Sequence, residues 1–299
     1  MAVFLALLIP FGSIAARDLL NVRILSKDDI LRHTTIPIVG EIGHNKKGDN
    51  LVVTTESRSA IAEQFRALRT NLQFFMVPGK ENAILLTSSM SGEGKSFTAL
   101  NLAAVFAISG KKVVMIELDL RKPNLSAKLG LSSGFGITNY ILNEKITPAD
   151  IIVQSWVNEN LFIISSGPIV PNPAETIMSE RMEALIEQLK KDFDYVILDA
   201  PPIGLVTDAQ LLSRHADLTL YLARQKYTFK KQLDIAEELY QKNMISKLGF
   251  VINDIDLSSG YGYGYGYGYG YGAYGEYGNE DSQDNSKWSW VRRIFKRKS

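Results

Sequence analysis

The sequence predicts an α/β fold in which a mostly parallel sheet is flanked by helices on both faces, and three observations carry that prediction. Six short apolar runs, at residues 83–89, 112–119, 161–166, 195–200, 218–223 and 247–253, read as strands. Helix-length segments at 96–109, 174–191 and 229–242 stand between them, and apolar strands alternating with helices indicate parallel strands covered on both sides. The chain has 299 residues, of which 45% are hydrophobic, enough for one large domain with appendages. In such sheets ligands sit beyond the carboxyl ends of the strands, so the residues just after each strand carry the most information.

Residues 1–16, "MAVFLALLIPFGSIAA", are apolar from Ala2 to Ala16 without one charge, and Arg17 follows at once. The run is too short to span a bilayer alone and lacks the basic start of a signal peptide. It is expected to be the cytoplasmic end of a membrane helix, with Arg17 and Arg23 as the positive flank. A buried first helix or strand is the competing reading. Residues 17–56 form a juxtamembrane segment and linker, with a short helix, a strand ending near Ile42 and the polar stretch "HNKKGDN". Residues 57–75 follow, with Ile61, Phe65, Leu68 and Leu72 at helical spacing, an amphipathic helix that opens a domain expected to run to residue 256.

The first apolar strand of that domain leads into "SMSGEGKSFTALNLA", a Gly-Lys-Ser loop opening directly into a helix. This is the setting of a phosphate-binding loop. Ser91, Gly92, Glu93, Gly94, Lys95, Ser96 and Phe97 are the candidate nucleotide contacts. Gly92 and Gly94 let backbone N–H groups close on phosphate oxygens at the positive end of the helix. Lys95 is expected to reach the β- and γ-phosphates of ATP, and the Ser96 hydroxyl to hold Mg2+. Ser89 stands where the first glycine of such loops usually lies.

The next strand ends "VVMIELDLRKPN", which puts Glu117 and Asp119 on one side at its carboxyl edge, an arrangement that suits a cation between carboxylate and triphosphate. Asp119 is the stronger candidate for metal contact or for accepting a hydroxyl proton; Arg121 and Lys122 would neutralise phosphate charge. A solvated cluster of strand-end charges is the alternative. Asp199 closes the apolar run "YVILDA" in the manner of a Walker B aspartate that orients Mg2+, and Pro201 and Pro202 then stop the strand.

Other chemistries find little support. The net charge of +1 argues against a dedicated nucleic-acid binder, and the absence of Cys excludes disulfides and thiolate metal sites. His33, His44 and His215 lack metal-site spacing, and no Gly-x-Ser-x-Gly elbow is present.

Residues 257–286 are of another kind. They alternate glycine with Tyr261, Tyr263, Tyr265, Tyr267, Tyr269 and Tyr271 and then add Tyr274 and Tyr277, a composition that resists a stable local fold. An adhesive low-complexity tail and a set of accessible hydroxyls are both consistent with composition alone. Residues 287–299, "KWSWVRRIFKRKS", combine six cations with Trp288, Trp290 and Phe295, and contact with an anionic inner leaflet is expected.

Together, "SMSGEGKS", "MIELDLRKP" and "YVILDAPP" resemble the Walker A, A-prime and B motifs of the bacterial tyrosine kinases (BY-kinases), the cytoplasmic part of polysaccharide co-polymerases. The resemblance extends through "GPIVPNPAET" (167–176), "GLVTDA" (204–209) and "GFVIND" (249–254) and covers nearly all of residues 18–259. It implies a P-loop NTPase-like fold and an ATP- and Mg2+-dependent protein-tyrosine kinase. Lys95, Asp119, Asp199 and Arg121 would be catalytic, with Ser96, Asp119 and Asp199 around the metal. Asn253 would contact adenine. "EQFRALR" matches the family's oligomerisation motif at Glu63, Arg66 and Arg69, although the same spacing also suits an intrahelical salt-bridged surface.

The tyrosine cluster would be the autophosphorylation tail, modified by neighbouring subunits of a ring-like homo-oligomer. The further partners implied are the bacterial inner membrane, with this region on its cytoplasmic side, the polysaccharide export machinery and a protein-tyrosine phosphatase. Two positions depart from the pattern: Ser89, and Glu117 where an aspartate is usual. A ParA/MinD-like ATPase and a nucleotide-sensing scaffold of polysaccharide export remain as rival readings.

Overall fold

A computed structural model describes residues 22–130, 134–245 and 247–256 of the chain. The expected membrane-helix end (1–16), tyrosine tail (257–286) and basic C-terminus (287–299) lie outside the described residues. Among the described residues, no helix is long and apolar enough to cross a membrane.

Eight strands form one sheet: β1 (Ile38–Gly43), β2 (Ala83–Ser88), β3 (Val113–Glu117), β4 (Ile152–Gln154), β5 (Leu161–Ile164), β6 (Tyr195–Asp199), β7 (Leu218–Arg224) and β8 (Leu248–Ile255). Their spatial order is β1-β8-β7-β2-β6-β3-β5-β4. Every pairing is parallel except β4 with β5, which is antiparallel. This is the mostly parallel sheet that the strand–helix alternation predicted. Only the three-residue β4, two of its residues exposed, had no apolar run to announce it.

Side-chain alternation divides the core in two. Ile84 and Leu86 face one side of β2, with Phe65, Leu68, Leu100 and Phe106, while Ala83 and Leu85 face the other, with Leu185, Leu189, Leu233 and Phe250. Burial on both faces explains why these strands are continuous apolar runs.

The helix Ala60–Phe75 begins at Ser59, whose hydroxyl accepts from the Ala62 N–H, and it buries Ala62, Phe65, Leu68 and Leu72. It starts three residues later than the sequence reading because Ser57 and Arg58 belong to the turn before the cap. The segment expected as one helix at 174–191 is divided into Pro173–Ile177 and Glu180–Asp192, with Ser179 capping the second piece. Residues 229–242 likewise form the 3-10 turn Lys230–Gln232 followed by the helix Leu233–Gln241.

Parallel pairing aligns the carboxyl ends. Glu117 lies beside Asp199, Leu86 beside Asp199, Ser88 beside Leu222, and Arg224 beside Asn253. The exits of β3, β6, β2, β7 and β8, five adjacent strands, therefore open on one edge.

Candidate active site

β2 ends at Ser88 and the chain turns through Ser89–Gly94 into the buried helix Lys95–Ile108. Gly92 and Gly94 adopt φ of +86° and +95°, the left-handed region that glycine enters without steric cost. A Cβ on Gly94 would come within 2.0 Å of the Asn253 amide nitrogen, so that position has no room for any other residue. Glu93 is fully buried: its carboxylate accepts from the Ser89 hydroxyl (2.9 Å), the Met90 N–H (2.7 Å) and the Thr228 hydroxyl. Ser89 thus uses the departure from glycine to tie the loop's start to Glu93. Of the candidate nucleotide contacts, Ser91 and Gly92 lie exposed at the rim, and Ser96 is half-buried at the first turn of the helix. Phe97 turns its ring edge-on to Phe65.

Lys95 is buried, and its Nζ donates to the Ser88 hydroxyl at 3.1 Å. Burial lowers its pKa, opposed by the negative charges of Asp199, Glu93 and Asp119. Asp199 is entirely enclosed, and neither of its carboxylate oxygens has a hydrogen-bond partner among the described residues. Burial pushes its pKa up to about 7; the Ser96 hydroxyl and Lys95 favour the ionised form, although Ser96 closes no hydrogen bond with it. Burial also raises Asp119, a half-buried carboxylate that accepts from the Lys122 N–H at 3.1 Å and feels Lys95. An unpartnered buried carboxylate beside a phosphate loop is costly unless something cationic completes it. The residues present therefore suit a divalent cation, with Asp199, Asp119 and Ser96 as oxygen donors.

The expected pairing of Glu117 with Asp119 around a cation is corrected by the structure. Glu117 is buried, and its Oε1 accepts from the Asn124 and Leu125 N–H groups at 2.7 and 2.6 Å. Its Oε2 accepts from the Ser126 hydroxyl at 2.5 Å and the Ser166 N–H at 3.4 Å. β3 ends at Glu117, and the longer carboxylate turns into the following loop. There it joins residues 124–126 to the exit of β5, and its oxygens are taken up by these donors.

Arg121 is likewise engaged. It grips the buried Asp208 of "GLVTDA" with two hydrogen bonds, an ion pair that the sequence reading did not anticipate. Asn253 is within β8 and donates from Nδ2 to the Glu93 carbonyl at 2.9 Å, placing it against the loop expected to hold nucleotide. On the helix Ala60–Phe75, Glu63 and Arg66 pair with each other at 2.5 Å, and Arg66 also donates to the Ser57 carbonyl. Arg69 buries its Nε, which has no hydrogen-bond partner among the described residues. Sequence reasoning also passed over Arg224, Tyr227 and Thr228, all of which touch the phosphate loop. Nothing in their spacing marks them, because only the neighbouring position of β7 brings them there.

Comparison with known proteins agrees with this geometry. A family described as an AAA domain matches residues 81–228. Tyrosine-protein kinase YwqD of Bacillus subtilis (strain 168) is 39% identical over 233 residues, covering 78% of this chain and 93% of that protein. Tyrosine-protein kinase wzc of Salmonella typhi is 34% identical over 221 residues, 74% of this chain, but the chain spans only 30% of its length. The crystal structure of the chimerical protein CapA2B2 superposes with a TM-score of 0.70 at 31% identity, covering 77% of this chain and 99% of that one. With the phosphate loop, Asp119 and Asp199 gathered on one sheet edge, and with a relative matched over nearly its whole length, the chain belongs to the bacterial tyrosine kinases.

Proposed function

We propose that this kinase transfers the γ-phosphoryl group of ATP to the tyrosines of its own C-terminal cluster, acting between neighbouring copies of a ring-like homo-oligomer. The observation that carries the reading is the orphaned carboxylate of Asp199 beside Lys95, at the exit of the strand next to the phosphate loop.

Lys95 and the loop N–H groups hold and orient the triphosphate. Asp199, Asp119 and Ser96 would hold Mg2+, which would supply positive charge to offset the charge developing on the phosphates. The tyrosine oxygen attacks the γ-phosphorus, the bond to the β–γ bridging oxygen breaks, and ADP leaves. With Asp119 committed to the metal, the tyrosine proton passes to a phosphate oxygen or to water, and no strong side-chain base is required. Because the transition state is loose, positioning and charge stabilisation supply most of the catalysis. Arg121, held by Asp208, contributes positive charge at the same edge, and Asn253 contacts the adenine.

A chain of the tail's length, from residue 257 to Tyr277, has a root-mean-square reach of roughly 25 Å if flexible, sufficient to enter a neighbour's site. Glu63, Arg66 and Arg69 would supply the contacts between copies. Full phosphorylation of the tail adds about −12 to −16 charges, which would repel neighbouring tails and loosen the ring. The setting consistent with the resemblance is the inner face of a bacterial inner membrane, next to the polysaccharide export machinery, with a protein-tyrosine phosphatase reversing the modification.

The test mixes two chains. Lys95→Met protein with an intact tail is incubated with Mg-ATP and a chain in which all eight tail tyrosines are phenylalanine. Phosphotyrosine on the Lys95→Met chain supports transfer between copies. Its absence, with wild-type protein active alone, contradicts it.

A further inference from the structure

A phosphate loop binds through its N–H groups, which face the ligand only if the alternate carbonyls face away. In this chain three successive outward carbonyls are each taken by a different side chain. The Tyr227 hydroxyl donates to Ser91 O at 2.9 Å, Arg224 Nη1 donates to Gly92 O at 2.9 Å, and Asn253 Nδ2 donates to Glu93 O at 2.9 Å. A Cβ on Gly92 would come within 2.9 Å of the Tyr227 hydroxyl, so loop and clamp are in close contact.

The clamp is itself held. Arg224 Nε donates to Asp254 at 2.8 Å, Asp254 pairs with His44 at 2.5 Å, and the guanidinium lies 5.0 Å from the Tyr227 ring centre. The turn carrying Tyr227 has Lys226 at φ +59° and is braced by the N-terminal segment. Lys226 N–H donates to Ile24 O at 2.8 Å, and Ile24 N–H to Thr228 O at 2.9 Å.

We propose that Arg224 and Tyr227 are positioning residues for the triphosphate: by holding the carbonyls of Ser91 and Gly92 outward, they keep the loop's N–H groups aimed at the ligand before it arrives. The inference rests on the nucleotide reading of the same loop. Neither residue touches the reacting atoms. Their effect is to reduce the ordering that nucleotide binding must otherwise bring about, so they act on affinity and leave the chemical step alone.

The test uses the full chain with Tyr227→Phe, which deletes one hydroxyl and keeps the ring, and with Arg224→Ala and Arg224→Gln. For Tyr227→Phe the Kd of Mg-ADP by calorimetry and the KM for ATP both rise, by roughly 3- to 10-fold, the loss expected for one hydrogen bond. Turnover at saturating ATP changes by less than about two-fold, because the interaction is common to ground and transition states. The melting temperature without nucleotide falls by no more than about 2–4 °C, the cost of one hydrogen bond in a domain of this size, while the upward shift given by Mg-ADP shrinks. Arg224→Gln, which retains an N–H donor, recovers part of what Arg224→Ala loses.

Unchanged Kd and KM in Tyr227→Phe overturn the proposal. A defect confined to turnover, or to the nucleotide-free melting temperature, overturns it as well. Should Arg224→Ala fail to fold, the Tyr227→Phe result decides alone. Lys95→Met separates the two levels: if it weakens Mg-ADP binding while Tyr227→Phe does not, only the clamp is wrong, whereas wild-type protein that binds no Mg-ADP removes the nucleotide reading with it.

Discussion

Arg121 and Asp208, 87 residues apart in the chain, meet in a two-point ion pair: Nε donates to Oδ2 at 2.7 Å and Nη2 to Oδ1 at 2.9 Å. The carboxylate is buried and the guanidinium is 42% exposed, so the two ends of the pair are not equivalent. The pair joins the loop after β3 to the helix Asp208–Leu212, fixing the edge on which Asp119 sits.

The asymmetry gives the first prediction. Asp208→Ala leaves an arginine that can turn to water, at a cost of about 1.5–3 kcal/mol for the lost charged hydrogen bonds. Arg121→Ala leaves a buried carboxylate unpaired and is expected to cost more, about 3–5 kcal/mol. Arg121→Lys restores charge without the two-point grip and falls between them. Urea unfolding midpoints of the three variants check this order.

The second prediction concerns pH. A carboxyl raised from 3.8 to about 7 keeps its proton in the folded state while the unfolded chain has released it. Stability from this group therefore falls as pH rises from about 4 toward 7, and the penalty is complete above that, at most about 4 kcal/mol. Asp199→Asn removes the penalty, so in the absence of divalent cations the variant should gain on wild type across that window and hold its lead at pH 8. Parallel stability curves for the two proteins from pH 5 to 8 would contradict the buried, unpartnered carboxylate.

The third follows from Glu117. Glu117→Gln turns an acceptor of four donors into a group half made of N–H, and is expected to lose about 1–3 kcal/mol of stability through unsatisfied buried donors. Magnesium affinity, measured by titration in the presence of ADP, should change by only a few-fold, since the substitution removes a charge beside Asp199 but no ligand. A large loss of magnesium affinity with unchanged stability would return Glu117 to the metal.

What the sequence made legible, and what it did not, divides along one physical line. Strands buried on both faces are continuous apolar runs, so β2, β3, β5, β6, β7 and β8 could be read directly, and the glycines at 92 and 94 followed from the backbone that a phosphate loop requires. Asp119 and Asp199 could be picked out as candidates because they stand at strand exits, and Lys95 because it opens the helix after the glycine loop. The direction in which a side chain turns after the strand ends was not legible. Glu117 and Asp119 share a parity, yet one turns into its own loop and the other stays at the edge. Arg121–Asp208 and Tyr227–Ser91 are contacts between segments 87 and 136 residues apart, set by sheet order, which no local pattern encodes.

The fourth prediction addresses assembly. Within one copy, Glu63 and Arg66 already pair with each other, and such an exposed helical pair contributes only about 0.3–0.5 kcal/mol. Replacing Glu63, Arg66 and Arg69 together by alanine is therefore expected to leave the melting temperature nearly unchanged while converting an oligomer to monomers and lowering phosphorylation between molecules. Light scattering that shows the same assembly for variant and wild type would remove these residues from the interface.

The central claim, that the tyrosine cluster is the substrate of the site built around Lys95, Asp119 and Asp199, is tested most directly by mass spectrometry of the purified full chain after incubation with Mg-ATP. Wild-type protein is expected to gain phosphate on residues among Tyr261, Tyr263, Tyr265, Tyr267, Tyr269, Tyr271, Tyr274 and Tyr277, while Lys95→Met gains none. ATP consumed with all eight tyrosines unmodified would point instead to an ATPase of the same fold, and equal phosphotyrosine in both chains would contradict the assignment of the site.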